Sequence, residues 1–145
     1  QALGAGRRDV ARVTAWRVAR YGGLTGLAAT AVLLVGVVAI PRVFSPDPAV
    51  LEQARIVWWW LALMQPLAGV VFALDGVLMG SGDVAWLRSL TVVAGLVGFL
   101  PLSLLAIPLD LGLSGIWAGL TLLILIRLGG TVWRVRGVRW LEPAR

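Results

Sequence analysis

Four stretches of this 145-residue chain are apolar for about twenty residues each, and that is the length a helix needs to cross the hydrocarbon core of a bilayer. They run from Gly22 to Phe44, from Ile56 to Gly80, from Leu90 to Ile107 and from Gly115 to Trp133. The chain is 59% hydrophobic, against about 45–50% for an ordinary soluble domain, and the excess lies in these runs. The fold class expected is all-α: an integral membrane bundle of four transmembrane helices over residues 22–134. A basic, partly helical segment precedes it at 1–21, and a short tail follows at 135–145.

There is no Cys, no His and no Lys. Disulfides, thiolate chemistry, imidazole acid–base work and the usual zinc ligands are therefore excluded. No nucleophile–base pair, metal cluster or phosphate loop is present, so the chain reads as a non-enzyme without cofactor. All 13 basic residues are Arg, and the net charge is +6. In a soluble protein that excess would suggest nucleic acid. Here the arginines flank apolar runs and set membrane orientation, because positive residues stay with the cytoplasm. Placing both ends inside puts eleven of the thirteen arginines on that side and leaves Arg42 and Arg55 outside. The expectation is a multi-pass protein of the cell's inner (plasma) membrane that does not bind nucleic acid. The chain begins at Gln1, with no apolar signal-peptide core in its first 21 residues, and is read as part of a larger protein.

One acid lies inside a span. Asp75 falls five residues before Gly80, roughly one to two turns inside the cytoplasmic end of the second run. A carboxylate at mid-bilayer costs about 2.5–3.5 kcal/mol unless it is paired or hydrated. Arg127 lies seven residues before Arg134 in the fourth run, at similar depth. The expectation is an Asp75–Arg127 ion pair, with the permanently charged guanidinium holding the carboxylate bidentately. Three roles stand side by side for Asp75: half of a structural pair, a coupling or gating group, or a water-exposed residue near the headgroups. Gln65 is the other polar residue at depth, a candidate for an interhelical hydrogen bond or a cavity wall. Next to it Pro66, and Pro101 in the third run, each remove a backbone donor and are candidate kinks. Gly22, Gly23, Gly26 and Gly36 favour close helix approach.

At the ends of the runs, Asp47 is expected to cap a helix with Pro48 in its first turn, giving a short amphipathic helix on the outer surface around Ser45–Glu52. Gly80 or Gly82 should end the second span in the left-handed conformation, with Asp83 capping the next helix. Trp58, Trp59 and Trp60 at one face, and Trp16, Trp86, Trp133 and Trp140 at the other, fit aromatic belts.

The pattern Phe72-x-x-Asp75-Gly76-x-x-x-Gly80-x-x-Asp83 resembles the tenth membrane helix of multidrug and toxic compound extrusion (MATE) transporters, and more narrowly their DNA-damage-inducible protein F (DinF)-like branch. Gln1-Ala2-Leu3-Gly4-Ala5-Gly6 resembles the end of the eighth helix, and Val43-Phe44-Ser45 the outer end of the ninth. Gly112-Leu113-Ser114-Gly115-Ile116-Trp117-Ala118-Gly119-Leu120, with Leu125-Ile126-Arg127, resembles the twelfth. The resemblance implies the last four spans of a twelve-helix antiporter whose N-terminal lobe is missing from this chain. It implies export of organic cations or amphipathic compounds, driven by protons or sodium through alternating access. The acid of sodium-linked members has no match in Gln65-Pro66-Leu67-Ala68-Gly69, which favours protons. Partners are then the lipid bilayer, the missing lobe, small-molecule substrates and the coupling ion. Two alternatives remain: a lipid or polysaccharide flippase of the same superfamily, and a small four-helix membrane scaffold protein.

Overall fold

Asp47 starts the longest helix by satisfying one of its free amides. Its backbone is extended (φ −70°, ψ 122°), and its Oδ1 accepts the Ala49 N–H at 2.9 Å. Pro48, whose missing N–H is no loss in a first turn, follows. In the computed structural model, which describes residues 8–141, this helix runs unbroken from Pro48 to Gly80. The separate surface helix expected around Ser45–Glu52 is therefore the opening turns of the span itself. Residues 49–65 contain no Gly or Pro to interrupt it. At about 1.5 Å per residue its 33 residues measure about 50 Å, more than the ~30 Å hydrocarbon thickness.

The described residues are all-α. In chain order they form α1 (Arg8–Val35), α2 (Ala39–Phe44), α3 (Pro48–Gly80), α4 (Val84–Val93), a π-helical segment (Ala94–Phe99), α5 (Leu100–Ala106), α6 (Gly112–Arg136) and a 3₁₀ turn (Arg139–Leu141). Four helices are long and apolar enough to cross a membrane: α1, α3, the continuous α4–π–α5 unit and α6. The basic N-terminal stretch is not a separate surface helix, since from Arg8 onward it extends α1. The first apolar run, expected as one span to Phe44, is divided at Gly36–Val38. Pro41 cannot donate to the carbonyl four residues earlier, and α2 is left as a short separate piece. The Gln1–Gly6 match lies outside the described residues.

Both internal prolines are accommodated rather than breaking their spans. Pro101 follows the π-helical segment, in which the Leu100 N–H reaches back five residues to Gly95 O. A locally widened turn of this kind absorbs a missing donor. In α3, Pro66 frees the carbonyl of Ala62. The Thr30 hydroxyl of α1 donates to that oxygen at 2.7 Å, a partner supplied by the neighbouring helix.

Helix α3 packs between α1 and α6, and α6 also covers the π segment and α5. The α1–α3 seam is closed to backbone contact: a Cβ on Gly22 would stand 2.3 Å from Gly69 O, and one on Gly69 2.2 Å from Gly22 O. Small residues permit this approach in lipid, where dispersion and hydrogen bonds rather than hydrophobicity hold helices together. Trp58 adds a cross-link, its Nε1 donating to Leu33 O at 2.7 Å. Trp58 and Trp140 are buried, so these two members of the expected aromatic belts serve packing instead. The main core lies at the end where α1 begins and α6 finishes, where Ala11, Ala15 and Ala19 of α1 meet Leu74, Leu78, Leu87 and Val135. Many large apolar side chains are exposed on the rest of the described surface, as on a bundle embedded in lipid.

Candidate functional site

The turn after α3 fixes the register of its polar residues. Gly82 is left-handed (φ 86°), the Asp83 N–H bonds Leu78 O at 2.9 Å, and the Gly82 N–H bonds Met79 O at 3.0 Å. This double closure is the Schellman arrangement, and glycine takes the positive φ at no steric cost. It ends α3 sharply and holds Asp83 against the end of α6, with Asp75 two turns deeper on α3.

Asp75 is buried, 7% exposed, at the α3–α6 contact. Arg127 Nη2 donates to Asp75 Oδ2. The expected two-pronged fork does not form. A single guanidinium nitrogen reaches a single oxygen, and Asp75 Oδ1 and Arg127 Nε stay buried without a partner. Such unmatched atoms are uncommon, and each calls for a physical reason. The pair is closed on one side and has one acceptor and one donor to spare on the other.

A second pair sits beside it. Arg134 Nε and Nη2 donate to Asp83 Oδ2 and Oδ1 at 2.5 and 3.0 Å, a complete fork. Asp83 makes no side-chain cap on α4, contrary to expectation, because its carboxylate is turned to Arg134. The guanidinium also lies 5.0 Å from the centre of the Trp86 ring, and Trp86 stacks on Trp133 at 5.4 Å. Cation–π contact adds to the fork. Sequence reasoning missed this pair, although the signal was present. Arg127 and Arg134 are seven residues apart, hence on one face of α6, and the motif supplies an acid for each. Thr131 lies between them, fully buried, with its hydroxyl bonded to Arg127 O at 2.8 Å.

Arg12 of α1 completes this end of the bundle. Its Nη2 donates to Arg136 O, with Gly137 O at 3.4 Å. A cation at a helix C-terminus satisfies free carbonyls and opposes the helix dipole. Gln65 is not part of the site. It lies ten residues before Asp75, about 15 Å along α3, and its carbonyl faces Gly26. Among the described residues no group of His, Cys, Asp or Glu is placed to hold a metal ion.

The MatE family model matches residues 1–105, a span that includes Asp75 and Asp83 and stops before α6. Among similar curated proteins of Arabidopsis thaliana, Protein DETOXIFICATION 45, chloroplastic is 34% identical over 130 residues, covering 88% of this chain and 23% of the relative. Protein DETOXIFICATION 44, chloroplastic is 32% identical, covering 90% and 25%, and Protein DETOXIFICATION 42 is 31% identical, covering 86% and 24%. The chain thus spans about a quarter of the length of these relatives. No solved structure matches it significantly.

Proposed function

Because this chain belongs to the MatE family, we propose that it is the C-terminal four-span part of a DinF-like efflux transporter. In this reading the transporter exports organic cations or amphipathic compounds in exchange for protons, its two lobes rocking about a central cavity. The family match and the relatives' name, DETOXIFICATION, support removal of toxic compounds as the activity. The arginine bias supports both ends of the chain lying on the cytoplasmic side of the plasma membrane. The names of two relatives place those proteins in the chloroplast.

The observation that carries the reading is the Asp75–Arg127 contact with its spare oxygen and spare N–H. A purely structural pair is best when every lone pair and proton is matched. A pair left half-matched between two spanning helices suits a gate that exchanges partners as the lobes move. Protons are favoured over sodium because Gln65 and Pro66 stand where an outer-half acid would be needed, and no group of three or more acidic, His or Cys side chains gathers among the described residues.

Reconstitution tests this. The full-length transporter in proteoliposomes should drive ethidium movement when a pH gradient is imposed, and a sodium gradient alone should not. Asp75→Asn and Arg127→Gln should each slow the pH-driven flux about tenfold or more at equal protein density. Flux driven by sodium alone, or no ethidium flux under any gradient, overturns the reading.

A further inference from the structure

Arg42 and Arg55 are the two arginines at the end of the bundle remote from the basic one, and both line the same groove. The groove lies between α2 and the first turns of α3 and encloses about 670 Å³. Its other walls include Val38, Leu51, Glu52 and Trp59. Among the described residues neither arginine forms an ion pair, with Glu52 or with any other acid. Arg42, Glu52 and Arg55 are all exposed residues.

Depth identifies the surroundings. Arg55 precedes Gly80 by 25 residues, about 37 Å along α3. With Gly80 at one interface and about 30 Å of hydrocarbon between, Arg55 falls in the headgroup layer of the opposite leaflet. That placement holds whichever way the bundle faces. Two arginines lining one groove at headgroup depth suit a phosphodiester, which guanidinium groups recognise by geometry as well as charge. A nearby carboxylate matches an ammonium. The apolar walls suit the glycerol and the first methylenes, and the volume lies within the usual range for small-ligand sites, about 300–1,000 Å³.

We infer that this groove binds the headgroup of a zwitterionic aminophospholipid, with Arg42 and Arg55 on the phosphate and Glu52 on the primary ammonium. It is a site apart from the Asp75–Arg127 pair and does not depend on the transport reading. Phosphatidylethanolamine satisfies all three side chains. Phosphatidylcholine offers the phosphate but no ammonium N–H, and phosphatidylglycerol offers no cation.

Native mass spectrometry of the full-length protein, titrated in detergent with dioleoyl-phosphatidylethanolamine, -phosphatidylcholine or -phosphatidylglycerol, tests the assignment. Phosphatidylethanolamine should be retained most. Arg42→Gln/Arg55→Gln should lower its retention about tenfold. Glu52→Gln should abolish the preference over phosphatidylglycerol while leaving phosphatidylglycerol bound. Arg88→Gln/Arg139→Gln, at the opposite end, should change nothing. If the double variant does not fold, Arg55→Gln alone should lower retention about threefold. Equal retention of the three lipids overturns the inference, as does full phosphatidylethanolamine binding by the double variant. Displacement by millimolar inorganic phosphate would assign the groove to free phosphate instead. Absence of any lipid adduct on the wild-type protein would mean that the rest of the chain covers the groove, and would equally overturn it.

Discussion

Neutralising one member of the Asp75–Arg127 pair should destabilise the bundle more than neutralising both. The structure gives the terms. Asp75 is 7% exposed, it receives one charge-assisted bond from Arg127, and no other basic side chain bonds it. Arg127→Gln leaves a carboxylate with no cation in the spanning region, at a cost of about 2–3 kcal/mol. Asp75→Asn leaves the guanidinium uncompensated at a similar cost. In Asp75→Asn/Arg127→Gln neither charge remains and an amide–amide hydrogen bond replaces the pair, so the loss should be about 1–2 kcal/mol, far below the sum of the single losses. The expected coupling is about 3 kcal/mol, well above the ~0.6 kcal/mol average for neutral interhelical hydrogen bonds in membranes. Reversible unfolding of the full-length protein in mixed micelles with rising SDS, followed by tryptophan fluorescence, gives the three differences. Single losses that add to the double within about 0.5 kcal/mol refute the reasoning, because independent sites add in that way. Such a result would mean that water or another part of the protein already compensates each charge.

The same measurement serves three further variants. Thr30→Val removes the donor that covers the Ala62 carbonyl freed by Pro66 and should cost about 1 kcal/mol, whereas in Thr30→Val/Pro66→Ala the carbonyl regains its own helix donor and most of that cost should vanish. Gly69→Ala puts a Cβ 2.2 Å from Gly22 O and should cost about 1–3 kcal/mol by forcing α1 from α3, while Gly76→Ala on the same helix meets nothing within 4 Å and should be neutral or slightly stabilising. Arg134→Lys keeps the charge but loses the fork on Asp83 and the flat contact with Trp86; it should weaken this end of the bundle by about 1 kcal/mol, and a loss no larger than that of Arg88→Lys, an exposed arginine, would count against the fork.

Periodicity made the four spans legible, since about twenty apolar residues in lipid have few options besides a helix. Their joints were less so. Nothing in Gly22–Phe44 distinguishes an apolar helix from an apolar break until Gly36 and Pro41 are weighed together. Nor does Ser45–Glu52 announce that its turns continue into the span. Asp47 reads correctly as a cap because its job is local, whereas Asp83 misleads because a distant partner, Arg134, outcompetes the local amides. Counting depth along two helices brings Asp75 and Arg127 to one level. Carrying the count one heptad further reaches Arg134 and the turn at Gly82. The fork, and the atoms it leaves over, depend on side-chain angles that no spacing encodes. Thr30 is the clearest omission: the freed carbonyl at Ala62 follows from Pro66 alone, but its donor comes from another helix at a sequence distance of 32 residues.

The motif that ends α3 divides into two halves with different physical reasons. Asp75, Gly82 and Asp83 are explained within this chain: two acids meet two arginines of α6, and one glycine takes a left-handed turn. Phe72, Gly76 and Gly80 are not. Phe72 is 61% exposed, and a Cβ on either glycine would meet nothing within 4 Å. Glycine inside a helix costs about 1 kcal/mol relative to alanine, and no described residue comes close enough to Gly76 or Gly80 to account for it. Helix α3 therefore presents one face built for α1 and α6 and another, carrying Gly76 immediately after Asp75, that no described residue covers. That uncovered face adjoins the half-matched pair. Asp75 Oδ1 and Arg127 Nε are nevertheless buried and unmatched, so neither can take a partner from that open face unless α3 and α6 first move apart.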